Sequence, residues 1–282
     1  MVNLCTLKQY PKRLKRRQSL TMKVTFKQHK KLFLLDQDGT LYKGKHLFPY
    51  SVKFLEQIKA SGAKYLFITN NSSKSTNEYV AKMNKFGIKA TAEDFYTSSH
   101  ATMDYIKLHH KGKKVFLVGT MALSGEFLEN GINLTENIDE VEVAVLSYDT
   151  ELNYEKLTAL CHILAKPDVV YLATNPDLVC PTETGYLPDC GSFAILIYNA
   201  TGRNPLFLGK PRKLFVETIL QRFNLRPEDM VIVGDRLYTD IALGNNAGVD
   251  TILVLSGEAS LKDLKDSPNK PTFVVENVGE IF

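Results

Sequence analysis

"KLFLLDQDGTLY", Lys31 to Tyr42, runs a short apolar stretch straight into two carboxylates one residue apart, Asp36 and Asp38. "KLFLL" at 31–35 has the length and apolar character of a buried β-strand. Asp-Gly by itself is a common turn sequence, because Asp bonds nearby backbone and Gly admits positive φ. The two acids are therefore either turn residues or the start of a reactive site, and the rest of the chain has to decide between them.

Working outward, short β-branched runs alternate with amphipathic helical patterns, which predicts an α/β fold with a mostly parallel sheet. Further strands are expected at 65–69 (YLFIT), 115–118 (VFLV), 141–146 (VEVAVL), 169–173 (VVYLA), 230–233 (MVIV) and 251–255 (TILVL). Val52, Leu55, Ile58 and Lys59 trace a helix stopping at Gly62. Ser75 and Glu78 form a capping box ahead of Val80, Met83 and Phe86, and Gly87 closes that helix. These helices read as core-packing elements without a function of their own.

Three polar segments follow directly on buried strands: "DQDGT", "NNSSKS" and "GDRLYTD". In an open parallel sheet, ligands bind at the carboxyl ends of strands, so the three loops are expected to face one cleft.

With 282 residues, 44% hydrophobic and 23% charged, the chain has the composition of a soluble globular protein large enough for one or two domains. It contains no apolar run of about 18 residues, so no membrane span is expected. Residues 1–31 hold ten of the 35 Lys and Arg and no acid; the remaining 25 bases face all 31 acids, so the body is acidic at −6. Clustered bases can bind nucleic-acid phosphates, but within "YPKRLKRRQSLTMK" at 10–23 only Tyr10 offers a stacking ring, so the reading is a disordered extension over 1–28, with Met22 an alternative start. The segment also lacks the apolar stretch of a secretory signal. Cys5, Cys161, Cys180 and Cys190 form no zinc-type pairing and read as free thiols in a cytoplasmic protein. The six histidines lie outside the polar loops and read as surface or packing residues.

At the strand end Asp36 and Asp38 can point one inward at a metal and one toward a substrate, because Gly39 permits the turn. Carboxylates, waters and a phosphate suit Mg²⁺; Zn²⁺ would call for His or Cys clusters. A calcium loop is excluded by register, since counting from Asp36 puts Leu41 at the glycine place and Leu47 at the glutamate place. Thr69 to Ser75, "TNNSSKS", offers a hydroxyl, side-chain amides and backbone N–H groups at a helix start, where an anion is favoured. Lys210, in "LFLGKP", adds a cation. Asp36, Asp235 and a phosphate monoester together would carry about four negative charges; Mg²⁺ and Lys210 offset three, and oriented N–H groups much of the rest.

The ordered set "DQDGT", "TNN", "GKP" and "GDRLYTD" resembles the four motifs of the haloacid dehalogenase superfamily, in particular its NagD-like, 4-nitrophenylphosphatase-type phosphatases. The resemblance covers residues 30 to 282, and "YLATNPD" at 171–177 resembles a signature of that subgroup. It implies a Rossmann-like core, residues 29–100 and 206–282, with an inserted α/β cap of the C2 type at 101–205. By the same resemblance Asp36 would be the nucleophile of an aspartyl phosphate, and Asp38 the acid and then the base. Thr69, Asn70 and Asn71 would bind phosphoryl oxygens, and Lys210 would bridge Asp36 and the phosphate. Mg²⁺ would be held by Asp36, the Asp38 carbonyl and Asp235, with Asp240 acting through water. Cys180 would contact substrate.

One departure stands out: the family's Pro-Gly-x-Gly is replaced here by Pro188, Asp189, Cys190 and Gly191. The expected activity is Mg²⁺-dependent hydrolysis of small phosphate monoesters by a monomer or homodimer, with neither a membrane nor nucleic acid as partner. The alternatives are a phosphotransferase or phosphomutase, or a non-catalytic module that binds phosphate esters.

Overall fold

The computed structural model describes residues 24–26, 28–182 and 184–282. Along the chain, β1 (Leu32–Leu35) leads into the hairpin β2 (Tyr42–Lys43) and β3 (His46–Leu47), then α1 (Ser51–Ala60), β4 (Lys64–Thr69), α2 (Thr76–Lys85), β5 (Phe95–Thr97) and α3 (Ser98–His109). There follow β6 (Val115–Val118), α4 (Met121–Glu129), β7 (Val143–Leu146), α5 (Tyr154–Leu164), β8 (Val170–Ala173), β9 (Val179–Thr182), β10 (Gly185–Pro188), α6 (Cys190–Thr201) and β11 (Leu206–Phe207). The chain ends with α7 (Lys213–Phe223), β12 (Met230–Gly234), α8 (Ala242–Ala247), β13 (Asp250–Val254), α9 (Leu261–Asp266) and β14 (Phe273–Val275).

A six-stranded sheet in the order β14-β13-β12-β1-β4-β5 is parallel throughout. Its strands are apolar on both faces because helices cover both. Phe33 and Leu35 of β1 pack with Phe54 and Ile58 of α1, while Leu32 and Leu34 pack with Phe215 and Ile219 of α7. Burying each such side chain contributes about 1.5–3 kcal/mol. The chain leaves β1 toward β4 and returns later on the other side at β12, so the sheet order reverses beside β1. A crevice opens at such a reversal.

A four-stranded parallel sheet, β11-β8-β7-β6, carries the segment between. Leu206–Phe207, grouped with the core on sequence grounds, hydrogen-bonds to β8 in this smaller sheet. Helix α3 joins the two layers: Ala101 packs in the cluster of the large sheet, and Met103 and Ile106 in that of the small one. The architecture is the expected α/β class with a parallel-sheet core.

Of the basic extension expected over 1–28, residues 1–23 and 27 lie outside the described residues. Val24 and Phe26 pack on the core, Phe26 edge-on to Phe33 and to Phe273 at 5.4 Å. Lys30 is buried and bridges Asp250 at 2.7 Å, so it braces the sheet. The Ser75–Glu78 capping box is present, with Ser75 N–H donating to Glu78 at 2.9 Å. Among the described residues no helix is long and apolar enough to cross a membrane.

Candidate active site

Asp36 follows β1, Thr69 ends β4, and Asp235 follows β12, so three adjacent strand ends bring the three polar loops together. With loops of the smaller sheet they enclose a cleft of about 190 Å³.

At its floor Lys210 is buried, and its Nζ donates to Asp36 Oδ1 at 2.6 Å and Asp240 Oδ1 at 2.7 Å. Burial opposes the ammonium charge, but Asp240 and Asp36 outweigh it and hold Lys210 above its usual range. Burial pushes the Asp36 carboxyl up to about 7, with Lys210 pulling the other way and Asp240 adding to the rise. Asp240 is spoken for twice, since its Oδ2 accepts the Arg236 N–H at 3.2 Å.

Asp235 lies in a pocket made by glycines. A Cβ on Gly39, where φ is +88°, or on Gly257 would overlap its carboxylate. Its Oδ2 accepts the Glu258 N–H at 2.7 Å, but among the described residues its buried Oδ1 accepts nothing. An unpartnered carboxylate oxygen away from water is costly, so the position calls for a cation. Burial, then Asp36 and Asp240, drive Asp235 well above the ordinary carboxylate range. Asp36, Asp235 and Asp240 each offer an oxygen within 4.8 Å of the others. An all-oxygen donor set fits Mg²⁺.

Asp38 is carried on the turn after Asp36, and its carboxyl faces the cleft. Burial raises it, with Lys82 as the main opposing charge and the Gly44 N–H assisting. In the next loop, Thr69 Oγ1 accepts the Asn71 N–H at 3.1 Å and Tyr79 donates to the Asn71 carbonyl at 2.9 Å, fixing the turn.

Asn70 does more than offer its backbone. Its Oδ1 accepts the Lys210 N–H at 2.8 Å, while Nδ2 donates to the Lys210 carbonyl and, at 2.7 Å, to Asp177. It thereby ties the β4 loop, the Lys210 loop and the loop after β8 into one unit. Asn71 Nδ2 lies 3.9 Å from Cys180 Sγ, so Cys180 reaches the cleft wall.

The departure at Pro188–Gly191 has a structural account. Asp189 is the N-cap of α6: its Oδ1 accepts the Cys190 N–H at 2.6 Å and Asn175 Nδ2 at 3.0 Å. Cys190 is fully buried, its thiol pushed up to about 12 by burial, and Gly191 is required because a Cβ would fall on the Pro176 carbonyl. Cys161, Cys180 and Cys190 are all free thiols.

Asp177, Arg236, Asp189 and Lys82 also line the cleft and were not singled out as site residues from the sequence. "YLATNPD" and "GDRLYTD" contain the first two. Lys82 lies on a helix read as packing only, and its charge at a non-apolar position was the available signal.

Family models for haloacid dehalogenase-like hydrolases match residues 33–133, and for HAD-hydrolase-like proteins residues 207–281. The 5'-nucleotidase YutF of Bacillus subtilis is 34% identical over 249 residues, covering 88% of this chain and 96% of that protein. The 4-nitrophenylphosphatase of Thermotoga maritima superposes with a TM-score of 0.85 at 40% identity, covering 89% of this chain and 96% of its own. A glycerol phosphate phosphatase from Mycobacterium tuberculosis in complex with magnesium superposes with a TM-score of 0.83 at 30% identity, covering 89% and 77%. With its motif loops assembled at adjacent strand ends, this chain belongs to the haloacid dehalogenase-like hydrolases, within their NagD-like branch of phosphatases.

Proposed function

We propose that this phosphatase hydrolyses small phosphate monoesters with Mg²⁺, through an aspartyl phosphate on Asp36. The observation that carries the reading is the Asp36 carboxylate at a strand end, 2.6 Å from a buried lysine and beside the unpartnered oxygen of Asp235. The magnesium complex of the mycobacterial relative supports the metal. Asp36, Asp235 and the Asp38 carbonyl would hold Mg²⁺, which supplies positive charge against the phosphate and keeps Asp36 ionised.

In the first step an Asp36 oxygen attacks phosphorus and the bond to the ester oxygen breaks. Asp38, protonated, gives its proton to that leaving oxygen, and its raised carboxyl suits the task. In the second step Asp38 takes a proton from water, the water oxygen attacks phosphorus, and the bond to Asp36 breaks, releasing phosphate. Lys210 pairs with Asp36 and the phosphoryl oxygens throughout, while Thr69 and the N–H groups of Asn70 and Asn71 hold the remaining oxygens.

Residues 29–100 and 206–282, apart from the β11 strand at 206–207, would form the core that does this chemistry, and 101–205 together with β11 the cap that excludes water and contacts the leaving group. Phosphate release from a panel of monoesters, with Mg²⁺ and with EDTA, tests the proposal. Metal-dependent release of free phosphate is expected. A new phosphate ester when acceptor alcohols are added would show transfer in its place, and tight ester binding without release would show a binding module.

A further inference from the structure

The core wall of the cleft carries two ammonium groups without a contacting counter-ion. Lys82 of α2 and Lys74 of the preceding loop both line it. Among the described residues neither Nζ makes an ion pair or hydrogen bond, whereas the other cleft cations are engaged: Lys210 with Asp36 and Asp240, Arg236 with Glu258 at 2.9 Å.

Lys82 is not a loose surface side chain. Its Nζ sits 3.7 Å from the centroid of Tyr42, whose ring is buried and whose hydroxyl donates to Gln37 Oε1 at 3.0 Å. A ring fixed in this way holds the ammonium in place at the cleft wall. Burial pulls Lys82 down, Asp38 holds it up and Lys74 pushes it down again, so both charges lie within electrostatic reach of Lys82. On the opposite wall, Asp177 is taken up by Asn70, Asn175 and Arg236, and Asp189 by Asn175 and the start of α6.

With phosphate at the strand ends and Asp38 at the leaving oxygen, Lys82 and Lys74 are the cations of the same cleft left for the alcohol side of the ester. We propose that these two lysines form an anion subsite for the leaving group, selecting phosphate monoesters whose alcohol carries a second anionic group, a carboxylate or another phosphate. This deepens the phosphatase reading and rests on it.

A three-carbon series tests the subsite on the full chain with Mg²⁺: glycerol 1-phosphate with no second anion, 3-phosphoglycerate with a carboxylate, and glycerol 1,3-bisphosphate with a phosphate. The wild type should favour at least one anionic ester over glycerol 1-phosphate by about tenfold in kcat/KM, through a lower KM; which one identifies the anion. Lys82→Met and the exposed Lys74→Met should each lower that ratio several-fold, and Lys82→Arg should restore it. Release without preference in the wild type overturns the subsite alone. An equal fall for all three esters in both variants also overturns it, leaving Lys82 as a positioning partner of Asp38. No release from any ester overturns the phosphatase reading and the subsite with it. Should Lys82→Met fail to fold, Lys74→Met and the wild-type preference carry the test.

Discussion

The floor and the roof of the cleft are built by different means. The floor is made of charges whose places are dictated by strand ends: Asp36 after β1, Asp235 after β12, and Lys210 locked between Asp36 and Asp240. The roof is made of tertiary hydrogen bonds, Asn70 to Asp177 and Asn175 to Asp189, between residues as much as 107 positions apart. The charges of the floor are held by strand ends, and the roof is held by hydrogen bonds between connections over it.

The largest effects should come from the floor. Lys210→Met leaves Asp36 and Asp240 without a counter-charge, and kcat/KM should fall by about 10³ or more. Urea unfolding of the metal-free variant at pH 8 should show a loss of about 3–5 kcal/mol. The sign with pH follows from Asp36, whose folded-state value of about 7 lies above its unfolded one. Its ionisation therefore destabilises the metal-free fold as pH rises from about 4 through 7. The variant's deficit should shrink at pH 5, where Asp36 is protonated. Equal deficits at both pH values would break the distinction drawn for the floor.

Gly257→Ala comes next, because the new methyl would fall on the Asp235 carboxylate and displace it. Magnesium titration of activity should show affinity lower by about 10–100-fold. Asn70→Ala tests the link between floor and roof. It strips partners from Asp177 and from both backbone groups of Lys210, and should cost about 1–3 kcal/mol in thermal unfolding.

The one gain, confined to high pH, belongs to the roof. Burial lifts Asp189 to about 6, so its ionisation weighs against the fold as pH rises from about 4 through 6. Asp189→Asn keeps a capping oxygen and removes that penalty. It should match the wild type at pH 4 and gain up to about 3 kcal/mol at pH 8, read by unfolding at the two pH values. A pH-independent difference would contradict this.

The same contrast explains what the sequence disclosed. Asp36, Thr69 and Asp235 stand at the ends of apolar runs, a local signal that survives in one dimension, and they are legible for that reason. Asp240 was placed on the metal's periphery through water; the structure engages both its oxygens, one with Lys210 and one with the Arg236 N–H. Strands β5 and β14 are three residues long and gave too short a pattern to separate from loop. Asn70 was legible as a phosphate-loop residue, but its side-chain bridge to Asp177 depends on packing that brings two distant loops together. Asp189 read as a break in a familiar pattern, and only the start of α6 shows why an aspartate serves there. Lys82 was hidden by the amphipathic pattern of α2, which reports the buried face and is silent about what the polar face overlooks.

The most direct measurement is acid quenching of the wild type and Asp36→Asn during turnover with Mg²⁺, followed by mass analysis of the peptide that carries residue 36. A phosphoryl adduct on Asp36 in the wild type, absent in the variant together with phosphate release, is the predicted result. Undiminished release from Asp36→Asn would contradict the assignment of Asp36 as the nucleophile.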